Sequence, residues 1–293
     1  MSSLPRGDRL EITDLLWPLD AARTRLPVRQ AEAARLLDER GQRRARRIIL
    51  DLPAVGGVLD ADYIDALGLR VHFELQRLEE ELVFGRRAAA LLAPLVAGLH
   101  RAAAGAPVRV VDVGCGLGYV ARWLAATGAL GPGVELVGVD LNPVLIAHAG
   151  ELAQREGLSC RFVLGDAFEP GLAIEDGPRT VVVSSGLLHH LPERELPGFF
   201  AGQERLGVAA FAHWDIAPCL WSTLGAWIFH QARMREPVSR HDGVLSARRA
   251  HPAQALSAAA RAGAPGYAVE VREGPRWRPR AIDVLRPVVG VRR

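Results

Sequence analysis

The stretch that decides the fold of this chain runs from Val110 to Tyr119 and reads VVDVGCGLGY. Its apolar first part, up to Val113, predicts a buried strand, and the glycines that follow predict a tight loop. The segment from Val120 to Ala126 favours a helix, so the loop leads into a helix N-terminus with free backbone N–H groups. We therefore expect the functional site just after Val113.

Two kinds of nucleotide-binding loop compete for this stretch. A dinucleotide fingerprint has the pattern G-x-G-x-x-G, with an acidic residue about 20 residues further on. Here the glycines are Gly114, Gly116 and Gly118, and Tyr119 stands in the place of the last fingerprint glycine. The loop therefore departs from the dinucleotide pattern.

Two further strands repeat the design of the first. Residues 134–143 read VELVGVDLNP and residues 161–168 read RFVLGDAF, so three successive strands end in Asp112, Asp140 and Asp166. In this combination the chain resembles the class I S-adenosylmethionine-dependent methyltransferases. One such motif alone would be equally typical of an ordinary turn with a helix-capping acid, whereas three in register favour the resemblance.

The resemblance implies a binding role for each motif. The glycine loop would approach the methionine part of S-adenosylmethionine, Asp140 would bind the ribose hydroxyls, and Asp166 would meet the adenine amino group. Leu141 and Phe168 would form apolar walls beside the base. The residues expected to line the cofactor site are Asp112, Gly114, Cys115, Gly116, Gly118, Asp140, Leu141, Asp166, Ala167, Phe168, Ser184 and Ser185.

A fourth segment, residues 180–192, reads TVVVSSGLLHHLP and resembles a stretch of many small-molecule methyltransferases. Ser184 and Ser185 would lie under the sulfonium, and His189 or His190 could face the acceptor. The alternative is a pair of structural histidines at a helix start, one packed and one solvated. Asp215 ends the fifth predicted strand, where it is either a polar group beside the acceptor or the N-cap of the next helix.

The candidates for a general base are therefore His189, His190 and Asp215. No metal-binding motif is visible, since Cys115, Cys160 and Cys219 lack the spacing of paired ligands. Residues 239–246 read SRHDGVLS, which predicts a solvated turn before a helix, with an acceptor contact as the alternative.

Periodicity divides the chain into two parts. Residues 1–104 are predicted to form a helical extension that acts as a lid, and residues 105–293 the cofactor-binding domain. Strands alternate with helices in the second part, which predicts an α/β fold with a mostly parallel sheet. The resemblance implies seven strands with an antiparallel last strand. The predicted strands are 108–113, 134–140, 160–165, 180–185 and 207–214, followed by a pair at 267–271 and 281–285 around a turn at 274–277.

Composition limits the classes of function. The chain has 36 basic residues, all of them arginine, against 33 acidic ones, and its formal charge is only +3. Without a basic stripe interleaved with aromatic residues, nucleic acid is not favoured as a partner. No signal region or clean membrane span is visible, which favours a cytoplasmic enzyme acting on a small-molecule acceptor, including a secondary metabolite, and allows a homodimer. An RNA methyltransferase and a non-catalytic interaction protein remain the alternatives.

Overall fold

The computed structural model describes residues 9–20, 24–102, 105–174, 179–218, 220–272 and 284–293. The chain forms two compact units. The helical unit comprises Met1–Leu75 and Pro218–Arg249, and the sheet unit comprises Gln76–Ala217 and Ala250–Arg293.

The elements follow one another along the chain as helices first and alternating strands and helices afterwards. The strands are β1 (Ala54–Val55), β2 (Val58–Leu59), β3 (Val108–Val113), β4 (Val134–Asp140), β5 (Arg161–Leu164), β6 (Thr180–Ser185), β7 (Ala210–Ile216), β8 (Tyr267–Val271) and β9 (Leu285–Arg292). The helices are α1 (Ile12–Leu16), α2 (Gln30–Glu39), α3 (Arg43–Leu50), α4 (Ala61–Glu81), α5 (Phe84–Ala102), α6 (Tyr119–Thr127), α7 (Pro143–Arg155), α8 (Leu196–Leu206), α9 (Leu220–Arg233), α10 (Pro237–Arg249) and α11 (Ala253–Gly263).

The sheet unit is built on a seven-stranded sheet with the order β5-β4-β3-β6-β7-β9-β8. Strands β3 to β7 pair in parallel, and β9 is antiparallel to both β7 and β8. The chain runs outward from β3 to β5 and then crosses to β6 on the other side of β3. The glycine loop after β3 therefore lies where the strand order reverses, which is the usual ligand site of an open α/β sheet.

Helices cover both faces of the sheet, and successive side chains of each strand alternate between the faces. On β3, Val108 and Val110 pack with the buried faces of α5 and α6. Val111 and Val113 pack on the opposite face with α8 and α11. Because both faces are buried, the central strands read as near-continuous apolar runs.

The helical unit has a separate core. Ile12, Leu37, Ile49 and Ile64 are almost completely buried in it, and Val238 of α10 joins the same cluster. The unit therefore combines the first helices of the chain with the segment that follows β7.

The predicted α/β fold is confirmed, including the antiparallel last strand inserted into the sheet. Strands β3, β4, β6 and β8 have the predicted bounds. The last strand was predicted at 281–285 but is Leu285–Arg292, and the turn at 274–277 and residues 281–283 lie outside the described residues, as does Cys219. Residues 239–246, predicted as a turn, belong to helix α10.

The first segment of the helical unit ends at Leu75, whereas a boundary at residue 104 stays a prediction. Helix α5 packs on the sheet through Phe84, Ala88 and Leu92, so it belongs to the sheet unit. No single helix in the described part of the chain has the length and apolar character needed to cross a membrane, although the bent pair α4 and α5 passes that test by length and composition.

Candidate active site

The backbone of the glycine loop adopts a conformation that residues with a side chain rarely adopt. Gly114, Gly116 and Gly118 have φ angles of 68°, 53° and 70°, in the left-handed region where glycine is free of steric cost. The N–H groups of Gly114 and Cys115 donate to the Val139 carbonyl at 2.8 and 3.0 Å. These bonds fasten the loop to the end of β4.

Phe162 of β5 fills the space behind this loop. A Cβ atom on Gly118 would lie 2.1 Å from Phe162 Cε1, and one on Gly138 would lie 2.5 Å from Phe162 Cδ1. At Gly114, a Cβ atom would approach Leu187 to 3.1 Å. Close packing against Phe162 therefore requires glycine at positions 118 and 138, while at Gly114 the left-handed backbone favours it.

Asp140 ends β4 with its carboxylate held by two backbone donors. Its Oδ2 accepts the N–H of Gly116 and its Oδ1 accepts the N–H of Asn142, both at 2.9 Å. A carboxylate oxygen has two lone pairs, so each oxygen can accept one further donor, such as a ribose hydroxyl. The neighbouring Leu141 is 41 % exposed, so it is open to an apolar partner.

Asp166 forms the next turn along the same edge. Its Oδ1 accepts the N–H of Phe168 at 2.9 Å, and the Phe168 ring packs edge-on against Phe199 with centroids 5.7 Å apart. Ala167 and Phe168 are partly buried against the core of the sheet unit. The structure thus brings Asp140 and Asp166 to adjacent strand ends, since β4 and β5 are neighbours.

Asp112 belongs to β3, which lies between β4 and β6 in the sheet. It is 4 % exposed, and burial, with the charges of Glu79 and Asp140, raises the pKa of its carboxyl well above the usual range. Cys115 is only partly exposed, and desolvation of its thiol together with Asp140 and Asp112 raises the pKa of that thiol. A thiol in that state is not a nucleophile.

The two predicted serines point in different directions. Ser184 Oγ lies 2.9 Å from His213 Nδ1, and the other ring nitrogen of His213 contacts the Gln203 side chain at 2.8 Å. Burial lowers the pKa of His213 to about 3, so this ring is neutral and structural. Ser185, on the opposite face of β6, is hydrogen-bonded to Glu79.

Glu79 is a site residue that the sequence did not reveal. It lies near the end of α4, and burial raises its pKa to about 7, against the opposing effect of the Ser185 hydrogen bond. A titratable group with a strongly perturbed pKa at a ligand-binding edge is a functional candidate. The segment around it reads QRLEEE, which looks like a solvated helix end, so only the tertiary fold identifies it.

His189 and Asp215 form a buried pair at the ends of β6 and β7. His189 Nδ1 lies 2.8 Å from Asp215 Oδ1, and the His189 backbone N–H donates to Oδ2 at 2.7 Å. Burial raises the pKa of Asp215, but His189 and the N–H of Ile216 outweigh it and lower the pKa below its usual value. The His190 ring lies 4.4 Å from that of His189, centroid to centroid.

A second residue missed by the sequence supports this histidine turn. His251 Nε2 lies 2.9 Å from the Leu191 carbonyl and 3.2 Å from the Leu188 carbonyl. The His251 carbonyl in turn accepts a bond from Arg286 of β9. The turn that carries His189 is therefore held by residues from the C-terminal part of the sheet unit.

Comparison with known proteins finds relatives of the part of the chain that contains the glycine loop. A family model described as a methyltransferase domain matches residues 110–206. The probable chloroplastic tocopherol O-methyltransferase of Oryza sativa subsp. japonica is 33% identical over 119 residues, which cover 38% of this chain and 31% of that protein. The ribosomal RNA small subunit methyltransferase C of Alcanivorax borkumensis is 36% identical over 66 residues, covering 22% of this chain and 19% of that protein.

Solved structures give a weaker likeness. A magnesium protoporphyrin IX methyltransferase from Synechocystis superposes with a TM-score of 0.46 at 17% identity, covering 90% of this chain and 100% of that one. A SAM-dependent methyltransferase from Aquifex aeolicus gives 0.45 at 15% identity, covering 64% and 82%. The chain spans less than a third of the curated relatives named above. By its family model, its sheet and its glycine loop, the domain at residues 110–206 belongs to the class I S-adenosylmethionine-dependent methyltransferases.

Proposed function

We propose that this protein transfers the methyl group of S-adenosylmethionine to a small-molecule acceptor. The observation that carries the proposal is the position of Asp140. Its carboxylate is tied to the N–H of Gly116 in the loop, so an acid and a side-chain-free backbone face the same point of the strand reversal.

The residues of the site fit the chemistry of this cofactor. A Cβ atom at Gly118 would collide with Phe162 behind the loop, so glycine keeps the loop in its place, and the loop at residues 114–118 can admit the methionine part. Asp140 has acceptor capacity left for the ribose, and Asp166 and Phe168 lie on the next strand end for the base. When bound, S-adenosylmethionine supplies an electrophilic methyl group on a sulfonium.

Of the three candidates for the base, we propose His189, on the strength of its contact with Asp215. Because the lowered pKa of Asp215 keeps its carboxylate ionised, it can only accept a hydrogen bond, so Nδ1 of His189 carries a proton. Nε2 is then the free acceptor, able to take a proton from the acceptor molecule as the methyl group arrives. Asp215 would stabilise the imidazolium that forms, so it is a positioning residue.

The proposed class of acceptor rests on the names of two relatives and on the low net charge of the chain. Two of the curated relatives are named as tocopherol O-methyltransferases, and the formal charge of +3 gives little attraction for a polyanion. A secondary metabolite as the acceptor, the role of residues 1–104 as a lid, a cytoplasmic location and a homodimer stay predictions.

Two measurements test the proposal in turn. Calorimetry should show binding of S-adenosylhomocysteine and no preference for NAD, and a preference for NAD would overturn the cofactor assignment. Incubation with methyl-labelled S-adenosylmethionine should then label phenolic or other small acceptors from a metabolite pool. Labelling of total RNA alone, with loss of that labelling at high salt, would instead identify a nucleic-acid methyltransferase.

A further inference from the structure

Helix α3 of the helical unit carries a concentrated positive charge on its outer side. Its sequence is RRARRIIL, and Ala45 and Ile49 are completely buried in the core of that unit. The arginines of the helix are all exposed, and together they form the basic surface: Arg43, Arg44, Arg46 and Arg47. The helix is therefore amphipathic, with an apolar side that packs inward and arginines on the side that faces solvent.

The charges of the basic surface are not balanced within the protein. Arg43, Arg44 and Arg47 have no ion pair among the described residues, and Arg46 approaches Asp38 only to 3.9 Å. Arg43 and Arg47 are four residues apart, so they repel each other along the helix. The first turn of α3 contains no acid, although the helix dipole favours negative charge there. The arrangement destabilises α3, so it indicates an anionic partner outside the chain.

The preceding helix shows the pattern expected of a solvated helix face. Arg35 and Glu39 of α2 form an ion pair four residues apart, and both side chains are more than half exposed. Helix α3 contains no acidic residue at all. The basic surface therefore differs from an ordinary solvated face of the same unit.

Two aliphatic side chains are exposed at the end of the same helix. Leu50, the last residue of α3, is 42 % exposed, and Val55 of β1 is 76 % exposed. The side-chain Nε2 of Gln30 donates to the Leu50 carbonyl at 3.2 Å, and the Gln30 backbone N–H donates to the Gly57 carbonyl at 3.0 Å. Gly57 lies in the turn between β1 and β2, so the end of α3 and this hairpin lie side by side. Leu50 and Val55 thus form an apolar tip beside the basic surface.

The combination of cationic and aliphatic groups decides which partner fits. A membrane with anionic lipids offers negative charge for the arginines and a hydrocarbon boundary for exposed aliphatic side chains. RNA fits less well, because its bases stack on aromatic side chains and the apolar tip has none. A second copy of the chain is not favoured either, since a two-fold contact through this patch would set the basic surface against itself.

We propose that the basic surface and the apolar tip dock this protein on membranes that contain anionic lipids. The arginines bind lipid phosphates through charge-assisted hydrogen bonds, while Leu50 and Val55 enter the boundary between the headgroups and the acyl chains. Docking is peripheral and reversible, because two aliphatic side chains bury little apolar area. It is independent of the proposed function, since none of these residues belongs to the candidate active site.

Co-sedimentation of the full chain with vesicles measures this docking. Vesicles of phosphatidylcholine mixed with phosphatidylglycerol should bind the protein, and vesicles of phosphatidylcholine alone should not. Raising the salt from about 0.1 M to about 1 M shortens the screening length from about 10 Å to about 3 Å, so it should release the protein from the mixed vesicles. Equal binding to both kinds of vesicle, or no binding to the mixed vesicles at low salt, would overturn the proposal.

Removal of charge from the basic surface gives the specific test. An arginine near an anionic membrane raises the affinity about fivefold, so loss of three should weaken binding to the mixed vesicles roughly 100-fold. The variant combines Arg43→Gln, Arg44→Gln and Arg47→Gln. Because this change relieves repulsion within α3, urea unfolding should show a variant at least as stable as the parent.

A matched control removes the same charge from exposed arginines of the sheet unit. It combines Arg155→Gln, Arg194→Gln and Arg261→Gln. This control should bind the mixed vesicles with nearly the affinity of the parent. Equal weakening in the two triple variants would show that net charge alone drives binding, and it would overturn the assignment to the basic surface.

The apolar tip is tested by Val55→Ser, which changes an exposed side chain and leaves every charge in place. Binding to the mixed vesicles should weaken about fivefold to tenfold, because less apolar area enters the membrane. The salt dependence should remain. Affinity equal to that of the parent would contradict insertion of the tip.

Two further measurements separate the possible outcomes. Binding of the parent to a structured RNA, without binding to the mixed vesicles, would assign the basic surface to nucleic acid and overturn the membrane proposal. Calorimetry with S-adenosylhomocysteine should give the same affinity for the parent and for all variants. The proposed function and the membrane docking can therefore fail independently of each other.

Discussion

Asp215 holds both the backbone and the side chain of His189, through Oδ2 to the N–H at 2.7 Å and through Oδ1 to Nδ1 at 2.8 Å. One carboxylate therefore fixes the position of the ring, its rotation and its tautomer at once. Since Asp215 is buried and ionised, the arrangement leaves Nε2 as the ring nitrogen able to accept a proton.

Replacement of His189 by Gln tests the base directly. We expect the turnover number to fall by about 10²- to 10⁴-fold, the usual contribution of a general base, with unchanged affinity for S-adenosylhomocysteine. His190→Gln is the matched control, because it changes the neighbouring ring and leaves the Asp215 pair intact. If both variants keep near-normal turnover while binding the cofactor, the acceptor needs no base and positioning carries the reaction.

Asp215→Asn should act on the same step by another route. Asn keeps the size of the side chain but has an amide group and no charge, so it can present a donor to Nδ1 and favour the wrong tautomer of His189. We expect a loss of turnover comparable with that of His189→Gln, and no further loss in the double variant, because the two residues act as a unit. Additive losses measured in the double variant would show independent roles.

Asp140→Asn should weaken cofactor binding without removing the side chain. One of its two charge-assisted acceptors becomes an amide nitrogen that opposes the N–H of Gly116 or of Asn142. A lost hydrogen bond to a charged group costs about 1.5–3 kcal/mol, equivalent to roughly a 10- to 150-fold increase in the dissociation constant. Calorimetry provides the measurement. Glu151→Gln, at an exposed acid on α7, is the control, and equal affinities would contradict the ribose assignment.

The sequence predicted the part of the site that depends on local pattern. Apolar runs that end in Asp112, Asp140 and Asp166 are readable because parallel strands are buried on both faces. The same pattern could not show the side-chain partners. Ser184 and Ser185 are adjacent in sequence, yet the alternation of the strand sends one to His213 and the other to Glu79. Glu79 lies outside these motifs, and only the tertiary packing of α4 brings it to Ser185.

Two glycines explain the elements that the sequence misplaced. Gly243 suggested a turn, but it lies inside α10, where a Cβ atom would be 1.9 Å from Cε1 of His230. Gly290 lies in β9, where a Cβ atom would be 2.2 Å from Cζ of Phe211. In both cases the glycine serves a close approach between elements, which sequence alone does not distinguish from a turn.

Helix α6 offers a matched test of such a close approach, because it has a left-handed glycine at each end. Gly118 at the N-cap has φ 70° and Gly128 at the C-cap has φ 58°. A Cβ atom meets Phe162 at Gly118 and nothing within 4 Å at Gly128. In both Gly→Ala variants, backbone strain should lower the free energy of unfolding by about 1 kcal/mol. Denaturant unfolding measures this change.

In the Gly118→Ala variant the free energy of unfolding should fall by about 1–3 kcal/mol more, because the added methyl group is overpacked against the Phe162 ring. Cofactor binding should also weaken, because the loop is displaced. Phe162→Val, combined with Gly118→Ala, should recover part of that extra loss. Equal destabilisation by the two alanines would show that the contact with Phe162 adds no cost.

The pH dependence of stability should reveal two groups, His213 and Glu79, whose pKa values are shifted in opposite directions. His213 has its pKa lowered from 6.5 to about 3 by burial, so the unfolded chain binds the extra proton and stability is lost as the pH falls from 6.5 towards 3. Glu79 has its pKa raised from 4.5 to about 7. The folded protein then holds the proton, and the contribution of Glu79 to stability is lost as the pH rises from 4.5 through 7.

Between pH 4.5 and 6.5 these two effects oppose each other, each by up to about 1.4 kcal/mol per pH unit. The free energy of unfolding of the parent should therefore change little over this window through these two groups. Glu79→Gln should expose the His213 slope, so that its stability relative to the parent falls on acidification. His213→Asn should show the reverse, gaining on the parent as the pH falls, whatever its absolute loss from the Ser184 and Gln203 contacts. Urea unfolding at pH 4.5, 5.5, 6.5 and 7.5 measures both differences, and profiles parallel to that of the parent would contradict the shifted pKa values.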